Sequence, residues 1–160
     1  MKKITFILFA LIAGTTFAQD NATAAVNAEI VTPIKITNTG ATVLDFGYLA
    51  VPALVETEVT VLPVGTRAAI SEVTLPGGTI SAATFQITAD DLYGYTINID
   101  DIVLDGPSSD TMALTFTHDD SSLEGTGLPE TVNVGGTLTV KTNQTSGTYN
   151  GTVEVIVAYE

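Results

Sequence analysis

Three adjacent acid pairs, Asp90-Asp91, Asp100-Asp101 and Asp119-Asp120, come nearest in type and spacing to metal chemistry. Calcium takes six to eight oxygen ligands, and aspartate-rich loops supply some of them. None of the pairs shows the spaced acids and closing Glu of an EF-hand loop, and neighbours on a strand point to opposite faces. They read as solvated acids, so no metal site is assigned. His118 is the one histidine, with Asp119 and Ser121 just after it. A hydrolytic triad is defined by geometry, which adjacency in a polar loop does not supply. Cys is absent, removing thiol nucleophiles, disulfides and thiolate metal sites. Nothing marks out two of the 18 acids as a paired-carboxylate hydrolase. The sequence therefore offers no catalytic residue and no cofactor, and it reads as a non-enzyme.

What it does offer is backbone chemistry at its two ends. From Gly147 to Glu160 the chain reads Gly-Thr-Tyr-Asn-Gly-Thr-Val-Glu-Val-Ile-Val-Ala-Tyr-Glu. Val153, Val155, Val157 and Tyr159 share one face, opposite Thr152, Glu154, Ile156 and Ala158. Period two with β-branched residues describes a strand with one apolar face. An edge strand presents unpaired N–H and C=O groups to any chain that can lie beside it. Near the other end, Ala22, Ala24, Val26, Ala28 and Ile30 alternate with Thr23, Ala25, Asn27 and Glu29. Pro33 interrupts this ladder, and Ile34 and Ile36 resume its parity. The expectation is a donor strand carrying Ala24, Val26, Ala28 and Ile30, received on an acceptor edge formed by Val153, Val155, Val157 and Tyr159. Tyr159 is expected to pack its ring and leave its hydroxyl in water. The pattern is the same whether the donor fills a groove in its own chain or in a neighbour.

The elements that must hold those ends follow from the rest of the chain. With 45% hydrophobic and 14% charged residues it is no generic disordered polymer, and 160 residues suffice for one domain with a core. Alternating runs predict strands over 42–49, 55–62, 67–75, 79–88, 93–104 and 112–116, and a hairpin of 132–134 and 137–142 turning at Gly135-Gly136. Asn38-Thr39-Gly40, Pro63–Gly65 and Pro76-Gly77-Gly78 are turn signals, and 118–129 reads as a polar surface loop. No segment after residue 20 sustains a helical period. The fold class is all-β, a sandwich of short strands.

Lys2 and Lys3, the apolar run Ile4–Ala13 and the small residues Thr16 and Ala18 read as a signal peptide cut before Gln19. The expected division is 1–18 signal peptide, 19–32 extension and 33–160 sandwich domain. The product is exported, to the periplasm, the cell surface or the medium, with no membrane span left after the cut. Net charge is −13, and loss of Lys2 and Lys3 leaves only Lys35, Arg67 and Lys141 against 18 acids. Nucleic acid and anionic membranes are therefore excluded as partners.

Leu44-Asp45-Phe46-Gly47, Ala83-Thr84-Phe85-Gln86-Ile87, Tyr95-Thr96-Ile97, Met112-Ala113-Leu114, Val134-Gly135-Gly136-Thr137-Leu138 and Gly147–Val153 occur in that order. The set resembles the DUF4402 family of bacterial secreted proteins, over about residues 24 to 160. The two ends are similar to chaperone–usher pilins of the alternate class, with an alternating extension, a Gly-x-Tyr-x-Gly lead-in and a penultimate Tyr. That second resemblance implies an immunoglobulin-like, pilin-like sandwich completed by a neighbour's extension. It also implies copies of the same chain or related subunits, and a secretion chaperone, as partners. Many such pilins carry a disulfide, and this chain departs from them in having no Cys. The Gln19-Asp20 start resembles signal peptides of Bacteroidetes, and Asp110-Thr111-Met112 resembles their O-glycosylation pattern. The expected function is a structural or surface-assembly subunit, fimbrium-like, polymerising by strand addition. The alternative is a monomeric secreted module binding a glycan or surface protein, with the 118–129 loop and Tyr48, Tyr93 or Tyr95 as its contacts.

Overall fold

The computed structural model describes residues 20–39, 43–69, 74–120 and 123–160. The expected signal peptide, Gly40 of one turn, part of the 67–75 strand, and Ser121 lie outside the described residues. The chain divides into two units, residues 1–30 and 31–160. In the first, residues 20–30 belong to no strand or helix, and their side chains are exposed.

The second unit is all-β and antiparallel. Its strands are β1 Lys35–Asn38, β2 Thr57–Val61, β3 Arg67–Ala69, β4 Ala83–Thr88, β5 Tyr95–Asn98, β6 Ile102–Asp105, β7 Thr111–His118, β8 Glu130–Val140 and β9 Ile156–Tyr159. β2, β4 and β7 turn alternate residues inward, as their sequence predicts. In β2, Thr57, Val59 and Val61 are buried while Glu58 is exposed; in β4, Ala83, Phe85 and Ile87 face inward around an exposed Gln86.

β8 organises the larger sheet. Its first half pairs with β4, from Ile87↔Glu130 to Ala83↔Val134, and its second half with β2, from Val61↔Gly136 to Thr57↔Val140. β7 lies on the edge opposite β2, pairing Leu114 with Leu138 and His118 with Val134. β1, β3 and β6 extend the sheet beside β4, β2 and β7. β5 and β9 form a second, two-stranded sheet. Val132 of β8 and Ile87 of β4 pack with Tyr95, Ile97, Val157 and Tyr159 of that ribbon, giving the two layers of a β-sandwich.

Three expectations are corrected here. Gly135-Gly136 is no hairpin turn: both residues are buried in the middle of the single eleven-residue β8. A Cβ on Gly135 would stand 2.2 Å from the Val61 carbonyl oxygen, and one on Gly136 2.7 Å from that of Thr115. The pair is glycine because backbone closes in from both neighbours. The 93–104 strand is two strands in different sheets. Tyr95, Ile97 and Ile99 turn inward at odd positions, Ile102 and Leu104 at even ones, and Asp100-Asp101 is where the phase slips. Finally, the described part of the 42–49 strand, residues 43–49, gives only isolated bridges, Asp45↔Ser81 and Tyr48↔Gly77. The Asp45 carboxylate accepts from the Gly47 N–H at 2.8 Å, and Gly47 takes φ +66°, so the ladder breaks.

Candidate functional site

Extended chain without a ladder partner is the feature that singles out one margin of the domain. Beyond Asn150, which bridges to Asp105, residues 151–155 belong to no ladder among the described residues. β9 pairs with β5, from Tyr95↔Tyr159 to Asn98↔Ile156, and β1 pairs with β4. β1 and β9 approach each other, yet no ladder joins them among the described residues. All four expected acceptor residues, Val153, Val155, Val157 and Tyr159, turn inward and are half-buried, alternating with exposed Thr152, Glu154, Ile156 and Ala158.

Their floor is apolar along the whole margin. Val153 and Val155 lie with Ile36 and Ile99 over Ala83, Phe85 and Val134. Val157 and Tyr159 lie with Ile34, Ile36 and Ile97 over Ile87, Ala89, Tyr95 and Val132. Among the described residues such a margin has a run without ladder partners and incompletely covered side chains at once, the two things an added strand supplies. The expected donor residues Ala24, Val26, Ala28 and Ile30 lie in the first unit, all exposed and outside any strand.

One end of the margin is closed by hydrogen bonds that the sequence did not disclose. The Tyr159 hydroxyl donates to the Thr32 carbonyl oxygen at 2.7 Å and accepts from the Asp90 N–H at 2.7 Å. The Thr32 N–H donates in turn to the Asp90 carboxylate at 2.8 Å. The Tyr159 ring meets that of Tyr93 edge-on, with centroids 6.1 Å apart. The hydroxyl expected to face water is thus held by protein backbone. Its partner Asp90 could be placed only by a contact spanning 69 residues of sequence.

At the lead-in to the terminal run, Tyr149 is the hub. Its hydroxyl donates to Asp110 Oδ2 at 2.9 Å or to the Thr145 carbonyl oxygen at 2.8 Å, and accepts from Gln144 Nε2 at 2.8 Å. Its ring covers Gly106, where a Cβ would come within 2.1 Å of it. Asp110 also accepts from the Thr145 and Thr111 N–H groups. These hydrogen bonds, the Thr145 backbone first, hold its carboxyl down at about 2. Burial raises the Tyr149 phenol above its ordinary range. The Gly-x-Tyr-x-Gly segment therefore works as a fastener for the loop before the margin.

Several of the remaining candidate residues have structural partners. Asp119 accepts from Asn133 N and Nδ2, both at 2.7 Å. His118 Nδ1 is buried with no hydrogen-bond partner among the described residues. Asp120 accepts from the Tyr95 hydroxyl at 2.5 Å, and burial, that bond and the charges of Asp120 and Glu130 push the phenol well up. Asp100 accepts from Asn98 Nδ2 at 3.1 Å. Of the aromatics considered for glycan contact, Tyr95 is fully buried, Tyr93 packs on Tyr159, and Tyr48 is exposed.

No helix among the described residues is long and apolar enough to cross a membrane. No curated protein matches this chain, and no solved structure does. Residues 34–159 match the family described as Domain of unknown function (DUF4402), which spans both edges of the margin and the Tyr149 fastener, and the chain belongs to that family.

Proposed function

We propose that this is an exported structural subunit that assembles by β-strand addition. Ala22–Ile30 is the donor, its Ala24, Val26, Ala28 and Ile30 side chains entering a groove lined by Val153, Val155, Val157 and Tyr159. The observation that carries the reading is the margin itself: four inward-facing, half-buried side chains on a run whose first part has no ladder partner among the described residues. A period-two segment of the same chain, two to ten residues before the first residue held in the Tyr159 hydrogen bonds, has the matching pattern. On this reading the sandwich is immunoglobulin-like with one strand supplied from outside, and the product is a pilin-like fibre at the cell surface.

The test uses the chain from Gln19, with light scattering for mass and negative-stain electron microscopy for shape. The expected outcome is concentration-dependent growth into filaments. Val26→Asp places a charge among apolar side chains, where it has no partner, and should leave single subunits. Oligomer size that is the same in both proteins would refute donor-strand assembly.

A further inference from the structure

We infer that the Thr32–Asp90–Tyr159 hydrogen bonds, with Pro33, act as a director that denies the donor segment its own chain's groove and makes a second copy its recipient. The inference rests on the strand-addition reading and goes beyond it by naming the device that keeps the donor out of its own groove.

The geometry is that of a strand that cannot turn back. β1 begins at Lys35, immediately after the director. For residues 22–30 to lie beside β1 in the same domain, the chain must reverse within residues 31–34 and run antiparallel to it. Two-residue hairpin loops need left-handed backbone at one or both central residues, which Asn-Gly and similar pairs provide. Here the available residues are Val31, Thr32, Pro33 and Ile34. Proline locks φ near −65°, and a residue before proline is confined to extended conformations. Val31, Thr32 and Ile34 are β-branched and resist positive φ.

The same four residues are also held in place. Thr32 is bonded through both its N–H and its carbonyl oxygen, to Asp90 and Tyr159. Ile34 packs against the cluster of Ile87, Ala89, Tyr95 and Val132. A wider turn would have to break both hydrogen bonds of Thr32 and lift Ile34 from the core. Continuation of the donor away from its own β1 breaks none of them.

Mass action makes the prediction sharp. A flexible tether gives a donor an effective concentration in the millimolar range for its own groove. At about 10 μM protein, self-insertion would then exceed exchange by about 100-fold if the tether could reach. Filling by a second copy at that concentration is therefore diagnostic of a forbidden turn.

The chain has no cysteine, so introduced thiols report without background. Val26→Cys is combined in turn with Val153→Cys, Val155→Cys and Val157→Cys in the chain from Gln19, and each protein is oxidised at about 10 μM, well below the millimolar tether range. Facing pairs on neighbouring strands lie close enough for a disulfide at one of the three registers. The expected product on a non-reducing gel is a ladder of covalently joined subunits. Adding Thr32→Asn, Pro33→Gly and Tyr159→Phe supplies a permissive turn and removes the director, and should shift the product from ladder to internally linked monomer. An internally linked monomer in the unaltered background overturns the director while leaving the pairing of donor and groove standing. No disulfide at any register in either background overturns both.

Discussion

Gly135→Ala is the substitution whose size follows most directly from the structure. The added carbon would lie 2.2 Å from the Val61 carbonyl oxygen, 2.8 Å from the Leu62 carbonyl carbon and 2.8 Å from the Pro63 nitrogen. All three are backbone atoms, so no side chain can rotate away. β2 must part from β8 by roughly 0.8 Å to bring the first contact to the edge of what real structures tolerate. Overpacking of a tight core costs about 1–3 kcal/mol, and disturbing one or two ladder hydrogen bonds adds about 0.5–1.5 kcal/mol each. A loss of about 2–5 kcal/mol is a large part of the roughly 5–15 kcal/mol that holds a domain together. With a urea slope of about 1–3 kcal/mol/M, the midpoint should fall by at least about 0.7 M. Circular dichroism at the β-sheet minimum, followed through a urea titration, reads that shift. A midpoint within about 0.3 M of the parent would therefore sink the close-approach account of β8.

Two further predictions concern the parts that hold the margin. Asp110→Asn removes a carboxylate whose pKa is lowered to about 2 in the folded protein, below its ordinary 3.8. A depressed folded pKa contributes stability that is present above 3.8 and lost as pH falls through about 2. The gap in urea midpoint between parent and variant should be constant above pH 5 and close as the pH falls toward 2; a gap unchanged at pH 2 would contradict the Thr145 and Tyr149 hydrogen bonds as its source. Arg67 donates from Nη1 to the Phe46 and Tyr48 carbonyl oxygens, the latter at 3.0 Å, fastening the 44–48 segment. The Lys side chain is one atom shorter, so Arg67→Lys falls short of the two carbonyls and should lower stability by about 1–3 kcal/mol in the same titration, where no change would deny the fastening.

The inward faces of the strands were legible because burial in a sandwich imposes period two directly on the residues. Val59 with Val61, Met112 with Leu114, and Val153 through Tyr159 all face as their alternation predicts. The acceptor side chains were readable for that reason, and the family motifs placed them at the end of one domain. What escaped the sequence was set by distant backbone. Gly135-Gly136 has the composition of a hairpin turn, and only the carbonyls of Val61 and Thr115 make it a strand interior. The change of sheet at Asp100-Asp101 leaves a local trace, the shift of apolar residues from odd to even numbers, which a single long strand would not show. Tyr149 stood out by its glycine-flanked setting, but Asp110, its acceptor 39 residues away, had no local signal. The hold on Thr32 was invisible for the same reason, since its partner Tyr159 lies 127 residues further along.

The place of β8 in the chain order bears on how the domain comes into being. Residue 140 pairs with residue 57, and residue 130 with residue 87, so both long partners wait for a strand synthesised well after them. Pairings so distant in sequence make folding slow, because the loop entropy is spent before any contact repays it. A nascent chain stopped before residue 130 has every other strand of the larger sheet and nothing to join β4 to β2. Such a polypeptide stays threadable until about the last fifth of these 160 residues emerges, and only then can the larger sheet close.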